Sequence, residues 1–143
     1  MECEFPRVNE PNEVIKEIFE SVKVIAVPGL SPKEDKPSHR VAKYLKEQGY
    51  KIVPIYPKGE EILGEKVYRS IEEVPFEIDM IDMFRKADVA VEMLEVMKKR
   101  GDIKVLWLQE GIVNNAVGEE AKELGYKFVQ NKCTMVEHRG LFG

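Results

Sequence analysis

The chain has 143 residues, of which 43% are hydrophobic and 34% charged, and its formal net charge at pH 7 is −4. This length suits one domain around one core, and the acidic balance gives no sign of a nucleic-acid partner, which normally shows as a basic face. The two cysteines, Cys3 and Cys133, match neither a disulfide scaffold nor a zinc pattern.

Short apolar runs rich in β-branched residues recur at nearly even spacing and predict five β-strands. In chain order they are Lys23–Pro28, Lys51–Ile55, Ile78–Met83, Lys104–Leu108 and Lys127–Val129. Helical periodicity marks the segments Pro11–Ser21, Ser38–Gln48, Ala87–Arg100 and Asn115–Leu124, whereas Tyr68–Pro75 reads as a short irregular connector. The alternation predicts an α/β fold, a Rossmann-like three-layer sandwich with a five-stranded mainly parallel sheet, either half-Rossmann or flavodoxin-like.

Glycines punctuate three of these helix-to-strand junctions. Gly49, Gly101 and Gly125 each stand just before a predicted strand, where the residue that follows a helix often needs a positive φ. We therefore expect the helices to end there. In such folds ligands bind beyond the carboxyl ends of the strands. The loops at those ends are Gly29–Pro37, Tyr56–Gly64, Phe84–Lys86, Gln109–Asn114 and Gln130–Arg139.

The first of these loops suits an anion. Gly29 directly after the first strand permits close approach of a ligand to the backbone. Ser38 could cap the next helix, or Pro37 could open it, and Lys36 adds a positive charge where helix amides favour phosphate. An ordinary surface loop with a helix cap explains the same residues. Neither GxGxxG nor GxxxxGK[ST] is present, so the dinucleotide fingerprint and the P-loop are missing.

The second and third loops add cations. After strand two the first charged residue is Lys58 rather than the acid that NAD-binding folds place there, which favours a ribose that carries a phosphate. Arg85 directly follows strand three, and its guanidinium group could donate paired hydrogen bonds to phosphate oxygens. The alternatives are a solvated lysine and a structural salt bridge from Arg85 to Asp79, Asp82 or Asp88.

The last two loops carry polar residues and one thiol. Gln109 and Gly111 follow strand four, while Trp107 within that strand reads as core. Cys133 lies near Lys132 and His138, which could give it thiolate character, so it is a weak candidate for covalent catalysis. A cysteine at the end of a strand is more often a small buried apolar residue.

Several segments in order resemble a known family. They run from Ile25 to Pro32 and from Lys36 to Leu45, through Ile62–Tyr68 and Asp82–Arg85, to Val105–Gly111 and Cys133–His138. Together they resemble the small stand-alone CoA-binding proteins, which are similar to the N-terminal CoA-binding domain of the succinyl-CoA synthetase alpha subunit. The likeness covers nearly the whole chain.

The resemblance implies a Rossmann fold that holds coenzyme A across the strand ends. By position, five residues would line the path of the pyrophosphate and pantetheine: Gly29, Leu30, Ser31, Lys36 and Ser38. Three would flank the adenosine and its 3′-phosphate: Tyr56, Pro57 and Lys58. Arg85 would face the ligand, and Gln109 and Gly111 would border the pantetheine. The chain departs from the family at Tyr56, where Asn is usual, and at Pro28, where a second valine is expected.

The resemblance does not extend to the synthetase's phosphohistidine segment. The only histidines, His39 and His138, stand in unrelated contexts. We therefore expect non-covalent binding of coenzyme A or acyl-CoA at the carboxyl edge of the sheet, without catalysis and without a metal. The alternatives are thiol or acyl chemistry on CoA through Cys133 (or Cys3) and an NADP-dependent oxidoreductase.

The remaining expectations concern location and assembly. The N-terminal residues lack the basic start and apolar run of a signal peptide, and no apolar run approaches the ~20 residues that span a bilayer. We expect a cytoplasmic, nucleotide-binding protein formed by a single domain over residues 1–143, with no membrane or nucleic-acid partner. A homodimer is compatible with a small Rossmann domain.

Overall fold

The computed structural model describes residues 5–143, so Cys3 lies outside the described residues. The helices are α1 (Asn12–Ser21), α2 (Pro37–Glu47), α3 (Val89–Arg100), α4 (Asn115–Glu123) and α5 (Thr134–Phe142). The strands are β1 (Val24–Pro28), β2 (Lys51–Ile55), β3 (Glu61–Ile62), β4 (Glu65–Lys66), β5 (Met80–Met83), β6 (Val105–Leu108) and β7 (Lys127–Val129). A single turn of 3-10 helix covers Ile71–Glu73. The five predicted strands and four predicted helices are confirmed, with ends shifted by at most two residues.

Five strands form one sheet in the order β2-β1-β5-β6-β7, and every pair in it is parallel. The register places Ile25 beside both Ile52 and Met80, and Trp107 beside both Asp82 and Val129. This is the flavodoxin-like order, which decides between the two arrangements that the sequence left open. The direction of strand addition reverses between β1 and β5, and such folds bind their ligands at that point.

Both faces of the sheet are covered, as a parallel sheet requires. Neighbouring residues of each strand point to opposite faces, so Ile25 and Ala26 belong to different cores. One core packs α3 and α4 against the sheet through Leu94, Met97 and Ala121. The other packs α1 and α2 through Ile15 and Leu45, with α5 alongside. The result is the predicted three-layer sandwich.

Two elements differ from expectation. The segment Gln130–Arg139 is not a loop throughout, because α5 begins at Thr134. Its two buried side chains, Thr134 and His138, are polar, so the helix has no apolar stripe for the periodicity to reveal. The loop after β2 contains the hairpin of β3 and β4. Its turn residues Leu63 and Gly64 have φ of 56° and 77°, and a leucine in such a turn gives no sequence signal.

The chain before α1 runs along the outer edge of the sheet. Asn9 pairs through its side-chain amide with both backbone groups of Gln130, at 2.8 and 3.1 Å. The buried carboxylate of Glu10 accepts hydrogen bonds from the Phe128 amide and from Lys122. This segment occupies backbone groups that the edge strand β7 would otherwise expose. No helix within residues 5–143 is long and apolar enough to cross a membrane.

Candidate functional site at the carboxyl edge of the sheet

The loops after β1 and β5 meet where the strand order reverses. Gly29 has φ +84°, and a Cβ atom there would lie 2.5 Å from the Phe84 carbonyl oxygen and 3.2 Å from Cδ of Arg85. The Gly29 amide donates to the Ile55 carbonyl at 3.0 Å, and the Phe84 amide donates to the Pro28 carbonyl at 2.9 Å. Only glycine fits this crossing without strain, so Gly29 sets the contact between the two loops.

A cavity of about 350 Å³ opens beside this crossing. We call it the strand-end cavity, and it is lined by Gly29, Ile55, Tyr56, Pro57, Arg69 and Arg85. Four of these residues are sequence predictions that the fold brings together: Gly29, Tyr56, Pro57 and Arg85. The fold therefore gathers two arginines, a tyrosine and a half-buried glycine at the reversal point.

A groove of about 440 Å³ adjoins the strand-end cavity and shares Ile55, Arg69 and Arg85 with it. This α3 groove lies between the segment 69–72 and helix α3. A larger hollow of about 530 Å³ borders the hairpin and shares only Arg69 with the strand-end cavity. Its lining combines Glu60 and Glu73 with Lys66 and Arg69, so unlike the strand-end cavity it has no excess of positive charge to favour an anion.

Arg69 is a lining residue that sequence reasoning missed. Tyr68 forms a parallel bridge with Ile55, in which the Tyr68 amide donates to Pro54 at 2.9 Å and the Tyr56 amide donates to Tyr68 at 3.0 Å. This short pairing extends the sheet beyond β2 and brings Arg69 to the carboxyl edge. A single bridge has no recognisable sequence pattern, so the connector gave no signal.

Arg85 has no acid partner among residues 5–143, so the structural salt bridge weighed from the sequence is not formed. Asp79 instead accepts from the backbone amides of Lys23 and Val24, each at 2.9 Å. Asp82 is fully buried and bonded elsewhere. The Arg85 guanidinium is left exposed at the cavity.

The first loop is held by the start of α2. The Ser31 amide donates to Oγ of Ser38 at 3.0 Å, and Nδ1 of His39 donates to the Ser31 carbonyl at 2.9 Å. Helix α2 begins at Pro37, directly after Lys36, which confirms one of the two alternatives that the sequence offered. The other alternative, a Ser38 cap, is wrong, because the Ser38 hydroxyl is bound to the loop instead.

The other residues predicted for this edge differ in their burial, and the two lysines among them lie outside the strand-end cavity. Leu30 is fully buried in the second core. Lys36 is exposed at the start of α2, and Lys58 is exposed in the loop that follows Pro57. Neither lysine lines the strand-end cavity. The ligand contacts predicted for these residues stay predictions.

A buried polar network lies beneath the fourth loop. Nε2 of Gln109 donates to Oδ1 of Asp82 at 2.6 Å and to Oγ1 of Thr134 at 2.8 Å, and Thr134 donates to Oδ2 of Asp82 at 2.9 Å. Burial raises the pKa of Asp82 to about 7, against the lowering effect of these hydrogen bonds. The Gln109 side chain is therefore engaged inside the protein rather than turned toward a ligand. Gly111 stays exposed and donates its amide to Oδ1 of Asn131 at 2.7 Å.

Cys133 immediately precedes α5 and is half-buried against the second core. His138 is bound elsewhere, since its Nδ1 lies 2.8 Å from the Tyr44 hydroxyl in a hydrogen bond. Burial lowers the pKa of His138, which favours its neutral form. Within the described part of the chain no hydrogen bond joins Cys133 to His138. Trp107 is fully buried and donates Nε1 to the Lys132 carbonyl at 2.7 Å, which confirms it as a core residue.

Known proteins resemble this chain both in sequence and in structure. A family model described as "CoA binding domain" matches residues 23–139. The uncharacterized protein YneT of Bacillus subtilis is 37% identical over 134 residues, which cover 91% of this chain and 96% of that protein. A hypothetical protein from Pyrococcus horikoshii has a solved structure with TM-score 0.89, 39% identity and full coverage of both chains.

A larger protein matches over part of its length. The alpha subunit of the ADP-forming acetate–CoA ligase I of Pyrococcus furiosus is 34% identical over 114 residues. The match covers 76% of this chain but only 24% of that subunit. This chain is therefore similar to one part of a ligase subunit.

Proposed function

This chain belongs to the CoA-binding domain family, and from that premise we propose that it binds coenzyme A non-covalently at the carboxyl edge of its sheet, without catalysing a reaction itself. One observation carries the location. The strand-end cavity lies at the strand-order reversal and is lined by two guanidinium groups and no carboxylate. A ligand with several phosphates suits that lining.

The geometry suggests how the ligand would lie. The adenosine half would occupy the strand-end cavity beside Tyr56 and Pro57, with exposed Lys58 near its phosphate. The diphosphate would pass Gly29 toward Lys36 at the start of α2. The pantetheine arm would then run past the loop of Gly111. The Ser38 hydroxyl and the Gln109 amide would act by fixing the loops, since both are engaged within the protein.

Binding without catalysis is supported by the surroundings of the one described thiol. His138 is bound to Tyr44 and is buried among aromatic rings, which include Phe19 and Phe142. A thiol needs a nearby base or cation to become a nucleophile, and His138 is bound to Tyr44 rather than to Cys133.

Charge reversal tests the location. We expect Lys58→Glu and Arg85→Glu each to weaken CoA binding by about tenfold or more, because each replaces a favourable charge beside a phosphate with a repulsive one. Lys127→Glu is the matched control, because Lys127 is exposed at the amino end of β7, on the opposite edge. Isothermal titration calorimetry gives the three affinities. Wild-type affinity in both edge variants would contradict the proposed location.

A further inference from the structure

Arg69 and Arg85 reach the strand-end cavity from independent parts of the chain. Arg85 follows β5, and its side chain crosses Gly29, with Cδ 3.2 Å from the position a Cβ would take there. Arg69 follows the bridge of Tyr68 to Ile55 on the other side. One Arg69 nitrogen, Nη1, donates to the Tyr56 carbonyl at 3.2 Å. The remaining donors of both guanidinium groups are available to a ligand.

These two arginines differ from Arg100 and Arg7, which form ion pairs. Arg100 is held by Asp102 and by three backbone carbonyls, and Arg7 pairs with Glu119. Arg69 and Arg85 have no ion pair within residues 5–143. Two like charges that share one cavity repel each other, and an anion bound between them removes that repulsion.

We infer that Arg69 and Arg85 together bind one phosphoryl group of the ligand, with Arg69 as a second, specificity-determining guanidinium at this site. The inference rests on the proposed function and deepens it. Planar guanidinium groups bind phosphate oxygens through paired hydrogen bonds, and two such groups suit an anionic phosphoryl group. Coenzyme A offers two sources, its 3′-phosphate and its diphosphate.

The test compares Arg69→Gln with wild type by calorimetry against CoA and dephospho-CoA, which lacks only the 3′-phosphate. We expect Arg69→Gln to weaken CoA binding by about 10- to 100-fold, the usual effect of losing charge-assisted hydrogen bonds. An unchanged affinity for dephospho-CoA would identify the 3′-phosphate as the bound group, and an equal loss would identify the diphosphate. Arg69→Lys should bind CoA with intermediate affinity, because lysine keeps the positive charge but loses the paired hydrogen bonds of the guanidinium group.

Arg139→Gln is the matched control, since Arg139 is exposed on α5 over the ring of Tyr44. A second probe separates phosphate binding from support of the Tyr56 backbone. Inorganic pyrophosphate, followed by ³¹P NMR, should bind saturably to wild type and Arg139→Gln but not to Arg69→Gln. Unchanged CoA affinity in Arg69→Gln, or a CoA loss with pyrophosphate binding intact, would overturn the inference. If wild type binds no CoA, the proposed function fails, and the pyrophosphate measurement still decides whether the two arginines form an anion site.

Discussion

At the scale of single residues, the contact between Gly29 and the loop after β5 organises the candidate site. The backbone at Gly29 is left-handed and lies against the Phe84 carbonyl, and the stem of Arg85 passes over it. This approach fixes where the Arg85 guanidinium lies. A side chain at this position would push that loop away from β1.

Replacement of Gly29 by alanine should therefore cost more stability than the backbone conformation alone explains. Gly29→Ala adds about 1–2 kcal/mol of left-handed strain and also forces a contact of 2.5 Å with backbone. Gly125→Ala is the control, because Gly125 has φ +89° and nothing within 4 Å of its Cβ position. Urea unfolding measures both free energies. Equal losses of unfolding free energy in the two variants would show that the contact of Gly29 with the Phe84 carbonyl does not add to the cost.

Some residues of the candidate site could be predicted from the sequence and others could not. Gly29, Tyr56, Pro57 and Arg85 lie one or two residues after the ends of buried strands, so their shared edge follows from the parallel sheet alone. Arg69 could not be predicted, because it depends on one isolated bridge. The internal use of the Ser38 and Gln109 side chains depends on packing of the loops, which strand order does not specify.

At the scale of elements, the network of Asp82, Gln109 and Thr134 joins β5, the end of β6 and the first turn of α5. All three side chains are buried. A buried carboxylate without a cationic partner is costly, and the raised pKa of Asp82 reflects that cost. The attachment of α5 to the sheet should therefore depend on the protonation of Asp82.

The stability of the folded protein should therefore decrease as the pH rises through the pKa of Asp82. The Asp82 pKa is about 7 in the folded protein and 3.8 in an unperturbed carboxyl, so the folded state holds the proton more tightly. The resulting stabilisation is complete below about pH 3.8 and is lost as the pH rises through about 7. Asp82→Asn has no such proton, so wild type should lose stability relative to Asp82→Asn across this range. Urea unfolding of both proteins at several pH values measures the difference; a pH-independent difference would contradict the assignment.

The elements themselves were predictable where apolar periodicity was strong. The five parallel strands are buried on both faces and read as apolar runs, and glycines ended three helices at Gly49, Gly101 and Gly125, all with positive φ. Helix α5 was missed because it buries a threonine and a histidine. The hairpin of β3 and β4 was missed because its strands have two residues each.

At the scale of the whole molecule, the strand order supports the proposed location of the site, and the family supports the proposed ligand class. In the order β2-β1-β5-β6-β7 the direction of strand addition reverses between β1 and β5, and Arg69 and Arg85 both line the cavity beside this point. Periodicity predicted the strands but left their order open, since order depends on which crossover packs to which side. The family match over residues 23–139 supports CoA as the ligand, and the location of CoA at this edge is our proposal.

Native mass spectrometry of the purified protein titrated with coenzyme A, with and without reductant, tests the central claim most directly. The account predicts a one-to-one complex whose added mass is that of CoA, and which disappears on denaturation whether or not reductant is present. An adduct that survives denaturation and is lost with reductant would show that a cysteine binds CoA covalently, which contradicts non-covalent binding. Failure to take up added CoA would contradict the function itself.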